Sequence, residues 1–167
     1  MTTNRLLRKK KDVKDFITDI TAAYNIISKR NKLYMITIQG LPTPHIQDLN
    51  FQITNRFFNT IHKDISKSFE YINYLFIIEY GGIISKEKEF DNFIKDLGIH
   101  AHCIVETSLS KMDLEYYLNT CFKKIPNYKI QNISTSNTKD NLLNYLLKQS
   151  KNNLLTSDSY NYKIDKK

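Results

Sequence analysis

The stretch IHAHCIVE, Ile99 to Glu106, constrains the fold of this chain more than any other. It reads as a buried strand. Side chains alternate along a strand, so His100, His102 and Ile104 point one way while Ile99, Ala101, Cys103 and Val105 point the other. Two imidazoles held two residues apart on one rigid face can share a metal ion. Burying their ring nitrogens is costly unless each finds a partner, which an ordinary core position does not require. Cys103 faces away from both histidines, so a zinc site that includes its thiol is disfavoured.

The rest of the chain supplies elements that can surround this strand. Val13, Phe16, Ile17, Ile20, Tyr24 and Ile27 recur at spacings of three and four and predict an amphipathic helix from Asp12 to Ser28, its apolar face docked on the domain. LYMITIQG, Leu33 to Gly40, is a β-rich run halted by Gly40, Pro42 and Pro44. Leu49, Ile53, Phe57, Phe58, Ile61 and Ile65 mark a second helix from Asp48 to Ser66. INYLFIIEY, Ile72 to Tyr80, is a strand closed by Gly81 and Gly82, and a short helix is expected from Lys86 to Leu97. After the histidine strand, Ser110 with Asp113 three residues on predicts a capped helix that ends at Pro126. Tyr128 to Ser134 is a further strand, and Lys139 to Ser150 a further helix. Beyond Asn153 no period is visible, and the stretch with Tyr160 and Tyr162 is expected to be loose.

Strands interleaved with helices through both short and long connections predict an α+β fold, with a central antiparallel sheet of about four to five strands flanked by helices. Long helices are expected to cover one face and leave the other free for a site. The expected organisation is a basic arm and helix over residues 1–32, a main domain over 33–153 and a loose tail over 154–167.

The 167 residues carry a net charge of +8, which points to a polyanionic partner, nucleic acid being the commonest. Within residues 1–32 nine basic side chains face three acidic ones, so most of that excess sits at the N-terminus. The cluster of Arg5, Arg8, Lys9, Lys10 and Lys11 can lie along a phosphate backbone or remain a solvated tail. The two cysteines, Cys103 and Cys121, suit a reducing compartment. No run of about 20 apolar residues is present, and a soluble, cytoplasmic protein with no membrane partner is expected.

Glu79 shares a face with Leu75 and Ile77 on the strand that precedes the histidines. If the two strands are neighbours, its carboxylate reaches His100 and His102. Two imidazoles and a carboxylate suit a divalent ion, Mg²⁺ or Mn²⁺, acting as a Lewis acid. In NLLNYLLK, Tyr145 and Lys148 lie on one side of a helix that Leu142, Leu143, Leu146 and Leu147 can hold against the body. A phenol attacks poorly at its normal pKa of about 10, so a nearby cation or metal must favour the phenolate.

In this order, the strand ending in Glu79, the His100-Ala101-His102 motif and the Tyr145–Lys148 pair resemble the HUH endonuclease superfamily, in particular single-tyrosine rolling-circle replication initiators (Rep proteins) of plasmids and viruses. LYMITIQG resembles that family's first motif, and the resemblance spans residues 33–151. It implies a divalent metal, Mn²⁺ or Mg²⁺, held by Glu79, His100 and His102. It further implies Tyr145 as nucleophile on a phosphodiester of single-stranded or hairpin origin DNA, with a 5′-phosphotyrosine link and a free 3′-hydroxyl as products, and Lys148 as the assisting cation. Position 149 is Gln, so the two-tyrosine branch is not matched. No phosphate-binding glycine loop is present, so a host helicase and polymerase would be needed.

Two rivals remain at the level of sequence. A single-tyrosine transposase or relaxase would use the same chemistry. A non-catalytic nucleic-acid-binding module would use the basic arm with strand aromatics such as Tyr34 and Phe76.

Overall fold

The computed structural model of the protein describes residues 10–30, 32–39, 46–80, 99–122, 127–134, 138–147 and 159–165. Helix α1 (Lys10–Ile27) leads into strand β1 (Leu33–Gln39). Helix α2 (Ile46–Phe51) then continues through a π-helical segment (Gln52–Phe58) into α3 (Asn59–Ile65). Strands β2 (Ile72–Tyr80) and β3 (Ile99–Thr107) precede α4 (Lys111–Cys121), β4 (Asn127–Asn132), α5 (Thr138–Leu147) and β5 (Tyr160–Lys163). The fold is α+β, as the interleaved pattern predicts. The helix expected at Lys86–Leu97, the glycine and proline stops, the basic cluster from Arg5 to Lys9 and Lys148 lie outside the described residues.

The strands form one antiparallel sheet in the order β4-β1-β3-β2-β5. β3 sits in the middle and is buried on both faces, which explains its unbroken run of apolar and paired polar residues. On one face Ala101, Cys103 and Val105 pack with Tyr34, Ile36, Tyr74 and Phe76 under the α2–α3 helix and α4. Ile53, Phe57 and Phe58 of the π-helical segment are all fully buried here, the Phe57 ring lying against Phe122 at the end of α4. The Phe58 ring stacks on Tyr74 with centroids 3.8 Å apart. α4 begins with the expected capping box, Ser110 accepting from the Asp113 N–H while Asp113 accepts from the Ser110 N–H.

Two expectations need correction. The second sheet face is not left open: α1, through Phe16, Ile20, Ala23, Tyr24 and Ile27, and α5, through Leu142 and Leu146, cover it with Leu33, Leu75, Ile77 and Ile104. Both helices carry a full apolar stripe, and a stripe of that width is buried rather than left in water. Nor is the C-terminal stretch loose throughout. Residues Tyr160–Lys163 form β5 on the outer edge of β2, with Tyr160 opposite Ile77 and Tyr162 opposite Leu75. Phe16 meets the Tyr160 ring edge to face at 5.0 Å, and the Tyr160 hydroxyl donates to Asp19. Four residues are too few to display a period, so edge pairing decides their conformation.

At the far end of the sheet from the histidines, a buried polar network closes the structure. Glu106 accepts from Arg30 at 2.8 Å and from Asn73 at 2.8 Å, while Asn73 accepts from the Asp165 N–H and Arg30 donates to the Asp165 carbonyl. Each of these polar groups is satisfied, as their depth demands.

Candidate metal centre and its tyrosine

The site arises from the register of β2 and β3. Glu79 stands directly opposite His100, and Ile77 opposite His102, so alternation brings the carboxylate and both imidazoles onto the α1/α5 face. All three are buried, with exposures of 3 %, 6 % and 6 %. His100 Nε2 donates to Glu79 Oε1 at 2.9 Å, and His102 Nε2 lies 3.4 Å from the same oxygen. The imidazole rings meet at 86° with centroids 4.9 Å apart, so both ring edges converge on the carboxylate instead of stacking. Burial pushes the Glu79 carboxyl up, but hydrogen bonds from His100 and His102 together with their charge outweigh it and hold it down at about 2. The carboxylate is therefore ionised at neutral pH.

These donors can hold a metal ion. One ligand atom from each of Glu79, His100 and His102 lies within 4.8 Å of the others. Ligands about 2.1 Å from one ion sit about 3 Å apart when adjacent in an octahedron, a spacing that the two carboxylate–imidazole distances of 2.9 and 3.4 Å approach. Thr37, opposite His102 on β1, places its Oγ1 3.5 Å from His102 Nδ1. With a metal bound, an Nδ1–H turned to that oxygen would leave the Nε2 lone pair for the ion in place of the hydrogen bond to Glu79. Cys103 sits on the opposite face, fully buried, where desolvation pushes its thiol up. It is not part of this cluster.

Tyr145 reaches the cluster from α5. Leu142 and Leu146 anchor that helix, Leu143 and Leu147 pack beside them, and Tyr145 is 40 % exposed. Its hydroxyl lies 3.1 Å from His102 Nε2, and the two rings meet edge to face at 5.0 Å. The sequence-predicted residues Glu79, His100, His102 and Tyr145 are thus brought together, while Lys148 lies outside the described residues. Tyr160 does not substitute for Tyr145: burial and the Asp19 carboxylate push its phenol up, and its hydroxyl is committed to Asp19. Tyr162 is on the edge strand beyond β2.

A groove of about 340 Å³ opens beside Tyr145 and His102, floored by Met35 and Thr37 of β1 and by Lys129 and Gln131 of β4. Sequence reading missed these residues. Alternation within LYMITIQG and YKIQ would have put each pair on one face, but nothing local says that β1 and β4 extend the sheet on the histidine side.

Among the described residues no helix is long and apolar enough to cross a membrane. The chain matches no family model, no curated protein and no solved structure.

Proposed function

We propose that the protein is a site- and strand-specific endonuclease and ligase for single-stranded DNA, initiating rolling-circle replication. The observation that carries this reading is the 3.1 Å approach of the Tyr145 hydroxyl to His102, a member of a buried His-His-Glu cluster able to hold a metal. A structural tyrosine would not need three buried metal-type donors beside it.

Tyr145 Oη attacks the scissile phosphorus in line. The new O–P bond forms as the bond to the 3′-oxygen breaks, the phenolic proton leaves to solvent over the exposed edge of the ring, and the departing 3′-oxygen takes up a proton. The product is a 5′-phosphotyrosine with a free 3′-hydroxyl. Glu79, His100 and His102 would hold Mn²⁺ or Mg²⁺, which when bound withdraws charge from the non-bridging phosphate oxygens and favours the phenolate. The packed α5 and the two central strands fix the distance between nucleophile and cluster, so catalysis rests on positioning and charge stabilisation. The bond formed resembles the bond broken, so the 3′-hydroxyl can reverse the step and rejoin the strand. Unwinding and synthesis would fall to a host helicase and polymerase.

The test is a denaturing gel of the purified protein incubated with single-stranded DNA from its own replicon's origin and Mn²⁺. The expected result is a protein–DNA adduct in the wild type that vanishes in Tyr145→Phe and on chelation of the metal, with DNA binding retained by the variant. Binding without cleavage or adduct in the wild type would replace this reading with that of a non-catalytic binding module.

A further inference from the structure

The groove beside Tyr145 contains a cation that the chemistry above does not use. Ile77, His102, Thr37 and Lys129 are successive register partners across β2, β3, β1 and β4, so they form one row on one face of the sheet. Lys129 is two strand spacings from His102, roughly 9–10 Å between Cα atoms, and its flexible four-carbon stem can cover much of that distance. Its side chain is exposed, and among the described residues no carboxylate pairs with it. Gln131, two residues along the same strand and also exposed, lines the groove with it. An ammonium with no carboxylate partner among the described residues, in a groove that also offers Thr37 and Gln131 and lies one short step from a centre suited to phosphate chemistry, is a place for a second phosphate.

We propose that Lys129 grips a backbone phosphate of the same strand, close to the one presented to Tyr145, so that the β1–β4 groove is the track along which single-stranded nucleic acid passes the site. This rests on reading the Tyr145 centre as one that acts on a phosphodiester. The contact is to the backbone and therefore indifferent to sequence. The row geometry makes Lys129 a binding residue that sets where the strand lies, and Lys148 is not required for that task.

The experiment measures binding of the full chain to a fluorescein-labelled oligothymidylate and to a mixed-sequence strand of equal length over a series of salt concentrations, without metal. Wild type, Lys129→Met, Lys129→Arg and Lys67→Met are compared, Lys67 being an exposed lysine in the turn after α3 that removes the same charge elsewhere. Lys129→Met is expected to weaken binding about ten-fold on both strands alike and to lower the slope of log Kd against log salt by about 0.7, the loss of one single-strand phosphate contact. Lys129→Arg should restore most of both, and Lys67→Met should change neither.

Wild-type affinity and slope in Lys129→Met, or an equal loss in Lys67→Met, would overturn the proposal. The gel with origin DNA separates this from the nuclease reading. An adduct in wild type with unchanged binding by Lys129→Met removes the Lys129 contact alone, whereas no adduct with the Lys129→Met loss intact removes the nuclease reading and leaves the strand contact standing.

Discussion

Glu79 shows how a single side chain acquires a role from its surroundings. On an otherwise apolar strand face its carboxylate is tolerable because two imidazoles meet it, and their hydrogen bonds outweigh the cost of desolvation. Its pKa is depressed from 4.5 to about 2, so the stabilisation it gives the metal-free protein is fully present above pH 4.5 and is lost as pH falls towards 2. Urea midpoints followed through that window should fall in the wild type, and Glu79→Gln should flatten that part of the profile. A variant profile parallel to the wild type would show that the carboxylate is not coupled to the histidines. That His100 and His102 share one face of their strand, and Glu79 one face of its own with Leu75 and Ile77, was legible in the sequence, since strand alternation follows from backbone stereochemistry. Their convergence to hydrogen-bonding distance was not, because it depends on the one register that sets Glu79 opposite His100.

At the scale of elements, the long helices and the two central strands were readable because each carries enough periodic positions to declare its type. The capping box at Ser110 is local chemistry and was read directly. The π turn within 46–65 was not readable, because its apolar spacing of three and four is that of an ordinary α-helix. β5 was misread for a related reason: four residues gain their conformation from pairing with β2, from the Phe16–Tyr160 contact and from the bond between Asn161 and Thr54. Deleting residues 159–165 is therefore expected to destabilise the protein by at least about 2 kcal/mol through loss of the Tyr160 packing alone. Thermal or denaturant unfolding of the truncated chain gives the answer, and an unchanged midpoint would restore the loose-tail reading.

Across the whole molecule, the two ends of β3 have different tasks. His100 and His102 belong to the candidate metal centre, while Glu106, about 13 Å along the strand from His102, anchors the network of Arg30, Asn73 and Asp165. Arg30→Ala leaves Glu106 buried without its cation and should cost about 3 kcal/mol in unfolding experiments. Metal affinity of the folded variant, measured by titration with Mn²⁺, should stay at the wild-type value because the network and the cluster share no side chain. A loss of affinity in step with the loss of stability would tie the two ends together. By itself the sequence determined the α+β class, the helix and strand stretches with long periods, and the faces on which Glu79, His100, His102 and Tyr145 lie, all of which follow from local stereochemistry and hydrophobic spacing. The tertiary structure alone decided the strand order, the cover of both sheet faces, the capture of β5 and the placing of Thr37 and Lys129 beside the histidines. Those features arise from pairings between segments far apart in the chain, whose energies no local pattern encodes.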